Sequence, residues 1–412
     1  MPDQVVLLVL AGLRRRDLAH MPRLQALLAP GDEAVLAPSF PCLAGPVQAN
    51  LLTGATPDRH GIVADCLFAR DEGEFAARPV STDSLQRPPI WEILRQHDPQ
   101  LVSAAWGSEF ACAESESRRD VRAPHGKPSP QLSPKGPKGR GGGADLTPAI
   151  ELARHRRPDF FYVYLDNLAE VAQRTGPDSD ELRQALAEID ESLGKLFCAA
   201  QDSYGQPQPL WLVTGAYAVS PVRNVFHPNR VLREAGLLEL RETGSGPVAD
   251  LARSRAFAVV DRQLSHVFVA EGQRQTIAKV ASLFGRRPEI AEVLSGESRR
   301  KYDLEHPRAG DVVLASSPDS WQAYPWWDVT GEAPPWAHAA GAPHKLGADP
   351  LEMFGGEVAA PLDTALIKGS HGAPARDESQ RSVIFSSEPG VLAGRLLSDT
   401  DVCDLVLRQF GI

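Results

Sequence analysis

The sequence lacks the long hydrophobic runs that would cross a membrane. The apolar run near its N-terminus, Val5–Leu10, is much shorter than the roughly 20 residues that a transmembrane helix needs. No basic stretch precedes this run, and no secretory cleavage pattern follows it, which argues against export. We therefore expect no membrane span and a cytoplasmic location, and we interpret Val5–Leu10 as a buried strand.

Cysteine is also scarce, and the cysteines that occur are odd in number and widely spaced. The Cys-x-x-Cys spacing of a zinc ribbon is missing, and a reduced compartment fits this pattern. Net positive charge is missing as well: the formal net charge is -10, so we expect no nucleic-acid partner. The cysteines are Cys42, Cys66, Cys112, Cys198 and Cys403.

What the sequence does contain is a series of short apolar runs separated by helical patterns. Strands that alternate with helices predict an α/β fold with a mostly parallel central sheet flanked by helices. The runs that predict buried parallel strands are Val5–Leu10, Phe160–Leu165, Leu210–Thr214 and Val312–Ala315. The predicted helices are Pro22–Leu28, Val47–Leu52, Pro88–Arg95 and Ser179–Phe197.

Two segments interrupt this alternation. Residues 118–143 are rich in Pro, Gly, Lys, Arg and Ser without a period, which predicts a flexible basic surface loop. Further on, two predicted strands, Phe257–Val260 and His266–Ala270, precede a predicted helix, Gln275–Phe284, and indicate a small α+β cap. The predicted division of the chain is core 1–248, cap 249–310 and core 311–412.

A Phe-Pro pair is followed at a distance by Thr-Gly and His-Gly patterns. The segment Phe40-Pro41-Cys42-Leu43 leads into a predicted helix, after which come Thr53-Gly54 and His60-Gly61. This segment resembles the nucleophile region of the nucleotide pyrophosphatase/phosphodiesterases, a branch of the alkaline phosphatase superfamily. Other stretches resemble the same family or a divergent bacterial branch of it: Val5–Leu13, Gly176–Ser179, Asn229–Leu238, Ser254–Val259 and Gly369–Gly372. The resemblance implies an alkaline-phosphatase-like core.

The resemblance also implies two metal ions, usually zinc, that hold a phosphate and activate a nucleophile. Most ligands of the first metal are replaced in this sequence. Ala11 stands for an aspartate after the first strand, Cys42 for the nucleophilic threonine, and Ala216-Tyr217 for an Asp-His pair. Because alanine and tyrosine are not zinc ligands here, the first metal site keeps only a candidate thiolate at Cys42.

The second metal site has two alternative assignments. Counted from the end of the strand Phe160–Leu165, the family's Asp and His fall on Asp166 and Glu170. Counted back from Gly176-Pro177, they fall on Ala169 and Gln173. We prefer the count from the strand, because a strand end fixes where a ligand projects; His371 would then complete a site for one divalent metal, Zn, Mn or Mg. The plainer interpretation is that Asp166 caps a helix, Glu170 is solvated and His371 lies in a loop.

Two further positions bear on the chemistry. With Pro41 in the first turn of a helix, Cys42 would lie near a helix N-terminus, which lowers a thiol pKa and favours a nucleophile. Free cysteines are more often buried and inert, and we favour this second interpretation of Cys42. Asp65 stands where the family has a phosphate-binding asparagine, and its charge would repel phosphate.

A late polar cluster offers a replacement site. Asp328, His344 and Asp349 surround a Trp-rich stretch and resemble a pattern of the divergent branch. Ordinary loop residues would account for the same pattern. If these side chains face the ancestral pocket, they could hold a metal in place of the lost ligands.

Two functions follow from these patterns. The first is a metal-dependent phosphoester or phosphodiester hydrolase with a degenerate two-metal site, acting on a small phosphorylated molecule. The second is a non-catalytic ligand-binding or scaffold protein that needs no cofactor and retains the fold. Whichever holds, strand ends of one parallel sheet meet in one crevice, so we expect the ancestral positions to cluster there. They are Ala11, Cys42, Asp166, Ala216, Tyr217 and His371.

Overall fold

The computed structural model describes residues 4–68, 77–110, 145–244, 246–327, 367–392 and 396–412. The predicted basic loop 118–143 and the predicted replacement site of Asp328, His344 and Asp349 lie outside the described residues. Within them, no helix is long and apolar enough to span a membrane.

The secondary structure alternates between strands and helices along the chain. The strands are β1 (Val5–Leu10), β2 (Glu33–Ala37), β3 (Cys66–Phe68), β4 (Ala77–Pro79), β5 (Ser103–Trp106), β6 (Phe160–Leu165), β7 (Leu210–Thr214), β8 (Ser220–Pro221), β9 (Asn224–Phe226), β10 (Leu240–Thr243), β11 (Gly246–Ala249), β12 (Ala256–Asp261), β13 (Leu264–Val269), β14 (Ile290–Ser295), β15 (Val312–Ser316), β16 (Ser320–Gln322), β17 (Gly369–Ser370), β18 (Ser382–Ser386) and β19 (Leu396–Ser398). The helices are α1 (Pro22–Leu28), α2 (Ala44–Thr53), α3 (Pro57–His60), α4 (Ile90–His97), α5 (Thr147–His155), α6 (Asn167–Thr175), α7 (Asp180–Tyr204), α8 (Pro228–Glu234), α9 (Arg274–Phe284) and α10 (Asp401–Gln409).

The central sheet has seven strands in the order β19-β2-β18-β7-β1-β6-β5. Strands β1, β5, β6 and β7 run parallel, and β18 pairs antiparallel with both β7 and β2. The sheet is therefore mostly parallel, and the predicted α/β class is confirmed.

Strand β1 lies in the middle of this sheet because its sequence is apolar throughout. All six of its side chains are buried, and side chains of a strand alternate between the two faces. Both faces of the sheet are therefore covered. The long helix α7 supplies part of that cover through Leu182, Leu186, Ile189, Leu193 and Leu196, all of which are buried at the predicted helical spacing.

A second sheet is antiparallel and has the order β12-β13-β15-β14. Its strands β12 and β13 and the helix α9 correspond to the predicted cap elements. The prediction that Val312–Ala315 is a parallel strand was wrong, because β15 pairs antiparallel with β13 and β14. We therefore propose that the cap extends beyond residue 310 to include β15.

The misassignment of β15 has a physical cause. One face of the strand packs in the apolar cluster of the cap, through Val312 and Leu314. The other face, through Val313 and Ala315, packs with Leu43 of the core. A strand buried on both faces has the same continuous apolar sequence in a cap sheet as in a central parallel sheet.

Candidate functional site

The ends of β1 and β7 meet at one edge of the central sheet. Gly12, next to Ala11, donates its backbone N–H to the carbonyl groups of Gly215 and Tyr217, at 3.0 and 3.1 Å. Gly12 has a φ of 89°, and a Cβ there would lie 3.2 Å from the backbone of Ala169. The positions that follow β1, β6 and β7 are thus in contact, as expected for strand ends of a parallel sheet.

Cys42 and His371 lie side by side in this region, and not on opposite faces of the molecule. His371 Nδ1 is 2.8 Å from the carbonyl oxygen of Cys42. Because a carbonyl oxygen only accepts, Nδ1 carries the ring proton and Nε2 is left with its lone pair. Within the described part of the chain, Nε2 of His371 is buried without a hydrogen-bond partner.

The Cys42 thiol is directed at backbone carbonyl groups. Its Sγ is 3.6 Å from the carbonyl oxygen of Ser39 and 3.9 Å from that of Pro38. The prediction that Pro41 lies in the first turn of a helix was wrong: α2 begins at Ala44, after an extended residue. Burial therefore raises the pKa of the Cys42 thiol, and the helix does not lower it.

Tyr217 fills space beside His371. The two rings are stacked with centroids 4.1 Å apart and planes at 14°. The Tyr217 hydroxyl lies 3.4 Å from that of Tyr164, on β6. Burial raises the pKa of Tyr217 and lowers that of His371, so both side chains are neutral near pH 7.

Arg262 enters the same region from the cap. It lies in the turn between β12 and β13, with a φ of 55°. Its Nη1 donates to Asp65 at 2.7 Å and to Asp261 at 2.9 Å, and its Nε donates to Gln173 at 3.3 Å. The side chain is only 19% exposed, and its charge contributes to lowering the pKa of His371. A buried cation thus contacts Asp65, at the position that the resemblance assigns to phosphate binding, and Gln173, at one of the two alternative positions for a ligand of the second metal.

Asp65 accepts hydrogen bonds from both the core and the cap. Besides Arg262, its carboxylate accepts from the backbone N–H of Gly45, at 2.7 Å, in the first turn of α2. A helix N-terminus favours an anion through its unpaired amides and its dipole. The carboxylate of Asp65 therefore occupies the place at this helix end where an external anion would otherwise bind.

The two assignments of the second metal site lie on different faces of α6. Asp166 and Glu170 are exposed, and Asp166 occupies the N-cap position of the helix. Ala169 and Gln173 are both buried. Ala169 lies against Gly12, and the amide oxygen of Gln173 accepts a hydrogen bond from Arg262. The count back from Gly176-Pro177 thus identifies the residues that face the pocket, whereas metal binding by Asp166 and Glu170 stays a prediction.

The residues that face the pocket are a poor match to a two-metal centre. Ala11, Ala169 and Ala216 have no donor atoms, and the Gln173 amide oxygen already accepts from Arg262. Among the described residues, no group of three His, Cys, Asp or Glu side chains is placed to hold a metal ion. Hard and borderline cations need several such donors at once.

A buried polar network holds the segment before α2. Asp399 accepts from the backbone N–H of Ser39 at 3.0 Å and from Asn50 Nδ2 at 2.7 Å. Asn50 Oδ1 is 2.6 Å from His60 Nε2, and His60 Nδ1 accepts from the backbone N–H of Ile62 at 3.0 Å. Burial lowers the pKa of His60 to about 3. The His60-Gly61 motif therefore has a structural role: it fixes α2 and the Cys42 segment.

The chain matches one family of known proteins over most of its length. A profile described as Type I phosphodiesterase / nucleotide pyrophosphatase matches residues 5–372. The chain belongs to this family. A comparison with curated proteins gave no match.

Solved structures of two family relatives share the fold. Murine ectonucleotide pyrophosphatase/phosphodiesterase 5 is 13% identical at a TM-score of 0.65, over 99% of this chain and 95% of that chain. An inactive variant of the murine protein is solved in complex with AMP. The human ectonucleotide pyrophosphatase/phosphodiesterase 5 gives the same values.

Phosphonoacetate hydrolase from Sinorhizobium meliloti 1021, in complex with phosphonoacetate, is also similar. It is 18% identical at a TM-score of 0.61, over 98% of this chain and 96% of that chain. At these identities the likeness concerns the fold. The alkaline-phosphatase-like core expected from the sequence motifs is confirmed.

Sequence reasoning missed the group that dominates the pocket. Asp261 ends strand β12 and Arg262 begins the turn that follows it, 196 and 197 positions after Asp65 in the sequence. Their sequence signal is a pair of charged residues, Asp261-Arg262, directly between two apolar strands. That signal marks a turn, but an ordinary hairpin turn has the same composition.

Proposed function

We propose that this chain is a non-catalytic member of its family, a binding or scaffold protein that retains the fold. The observation that supports this proposal is the position of Arg262. Its guanidinium group lies between Asp261, Asp65 and Gln173. The resemblance assigns phosphate binding to the position of Asp65, and one of the two alternative counts assigns a metal ligand to the position of Gln173. A permanent cation there offsets part of the charge of the two local carboxylates without a metal.

Electrostatics support the same proposal. A metal ion placed beside the Arg262 guanidinium would meet a like charge in a largely buried region, where repulsion is strong. A phosphate would meet the carboxylate of Asp65, which already accepts from the Gly45 amide. A small phosphorylated molecule, if it binds in this pocket, would have to displace Asp65 from that amide.

A second candidate is a hydrolase that uses one metal. The observation in its favour is the buried Nε2 of His371, which has a lone pair and no partner among the described residues. With Asp166 and Glu170, this nitrogen would complete a site for Zn, Mn or Mg. Asp166 and Glu170 would have to turn inward from an exposed helix face.

Turnover of an aryl phosphodiester separates the two candidates. The purified chain and His371→Ala would be assayed with Zn, Mn and Mg added one at a time, with folding checked by circular dichroism. We expect no turnover above the rate of the buffer for either protein. Metal-dependent turnover that is lost in His371→Ala would establish the second candidate instead. Turnover that needs two zinc ions per chain would contradict the proposal altogether.

A further inference from the structure

A cavity of about 200 Å³ lies between the segment that follows β1 and the start of α7. One wall contains Arg14 and residues of the short 3₁₀ helix that follows it, Arg15–His20. The other wall contains the Pro177-Asp178-Ser179 segment and the first turns of α7, as far as Leu186. None of the six ancestral positions lines this cavity, so it is distinct from the pocket described above.

Three arginine side chains of the cavity meet at Asp178. Arg14 Nη1 donates to Asp178 Oδ1 at 2.9 Å, and Arg16 Nη2 donates to the same oxygen atom. Arg183, in the first turn of α7, donates from Nη2 to the backbone carbonyl oxygen of Asp178 at 3.2 Å. Guanidinium groups that gather in this way around one carboxylate form a site whose geometry suits an anion.

Arg14 is held in place independently of Asp178. Its Nε and Nη2 donate to the two carboxylate oxygens of Asp17 at 3.0 and 2.8 Å, and Nη2 also donates to the carbonyl oxygen of Pro177. The Arg14 side chain is only 13% exposed, whereas the Asp178 side chain is 65% exposed. Asp178 can therefore rotate into water while the Arg14 guanidinium keeps its position and presents Nη1 to the cavity.

The charge of the cavity favours an anion with two negative charges. Its lining has three arginines and two aspartates, an excess of one positive charge with His20 counted as neutral, on a chain whose formal net charge is -10. When Asp178 turns outward, Asp17 alone remains and the excess becomes two. A phosphate monoester carries about -1.5 to -2 at pH 7, so the excess matches a phosphate group better than a singly charged carboxylate.

We propose that this cavity binds the phosphate group of a small phosphorylated molecule, which takes the place of the Asp178 carboxylate between Arg14 and Arg16. Arg183 adds its charge from α7. The volume of the cavity admits a phosphate with a short organic group. The inference goes beyond the proposed function and concerns a different site, so it does not depend on whether the chain is an enzyme.

Asp178 is easier to displace than Asp65 of the ancestral pocket. The Asp65 side chain is 17% exposed, and its carboxylate also accepts from the backbone N–H of Gly45 at 2.7 Å. Displacing Asp65 would leave that amide to be satisfied again, whereas Asp178 moves from a rim position into water. A phosphate therefore binds at the cavity beside α7 at a lower cost than at the ancestral pocket.

Calorimetric titration of the native chain with methyl phosphate and with inorganic phosphate, at physiological ionic strength, tests the proposal. We expect wild type to bind both probes saturably. Arg16→Gln should weaken binding by about tenfold, because a hydrogen bond between two charged groups is lost. Asp178→Asn should tighten binding by about tenfold, because the carboxylate that competes with the phosphate loses its charge. Both side chains are exposed, so both variants should fold, which circular dichroism checks.

Arg15→Gln and Glu33→Gln are the matched controls. They make the same charge changes at a neighbouring exposed ion pair that does not line the cavity. Both should leave the dissociation constants within about twofold of wild type, because solvent and salt screen exposed charges that do not touch the ligand. The proposal would be overturned if wild type bound neither probe, if Arg16→Gln or Asp178→Asn left binding unchanged, or if the controls shifted binding as far as the cavity variants.

Discussion

At the scale of single residues, the surroundings of Cys42 determine its chemistry. Its Sγ lies 3.6 Å from the Ser39 carbonyl oxygen, which is a hydrogen-bond acceptor and disfavours a negative sulfur. Burial comes first among the causes that raise the pKa of this thiol, and the nearby charge of Asp399 comes second. Since a thiolate is the reactive form, a neutral buried thiol is a poor nucleophile.

Alkylation of the native protein measures this difference directly. Cys198 is exposed on α7, whereas Cys42 is buried. With iodoacetamide near pH 8, we expect Cys198 to be labelled while Cys42 is labelled only after unfolding, with both sites quantified by peptide mass spectrometry. The unfolded protein is the control, since both thiols should then react. Labelling of native Cys42 as fast as Cys198 would indicate an accessible thiolate and restore Cys42 as a candidate nucleophile.

At the scale of elements, the long helix α7 begins at a defined cap. Ser179 is its N-cap residue, and its Oγ accepts from the backbone N–H of Leu182 at 3.2 Å. The Gly-Pro-Asp-Ser motif that resembles the family thus has a local structural role at the start of this helix. An N-cap serine satisfies one of the amides that lack a partner within the helix.

Replacement of the cap should lower stability by a defined amount. We expect Ser179→Ala to reduce the free energy of unfolding by about 1 kcal/mol, measured by urea denaturation. Ser192→Ala is the matched control, because Ser192 Oγ donates to the Glu188 carbonyl oxygen in the middle of α7 and caps nothing. That change should stay within about 0.5 kcal/mol of wild type. A loss at Ser192 as large as that at Ser179 would be inconsistent with the capping role.

Elements were predictable from sequence where their patterns are local. β1, β6 and β7 lie in one parallel arrangement as expected, because each is a short apolar run followed by polar or helical residues. β15 has the same kind of sequence, yet it belongs to the cap sheet. Periodicity shows that a strand is buried, but sheet membership depends on pairing with residues far along the chain.

At the scale of the whole molecule, the pocket is formed by two parts of the chain that sequence reasoning treats separately. The motifs identified the core positions, among them Cys42, Tyr217 and His371, and these lie together. They gave no information on Arg262, because nothing in a turn sequence states which surface the turn contacts. The choice between Glu170 and Gln173 depended in the same way on which face of α6 packs against the core.

In the proposed function, the Arg262 guanidinium takes the place of a metal ion in the pocket. The most direct measurement is the zinc content of the folded chain, determined by mass spectrometry of the metal after incubation with excess zinc and exhaustive dialysis. Because the buried Arg262 guanidinium is hydrogen-bonded to Asp65 and Asp261, we expect the chain to retain fewer than two zinc ions after dialysis. Retention of two zinc ions per chain would contradict this role of Arg262.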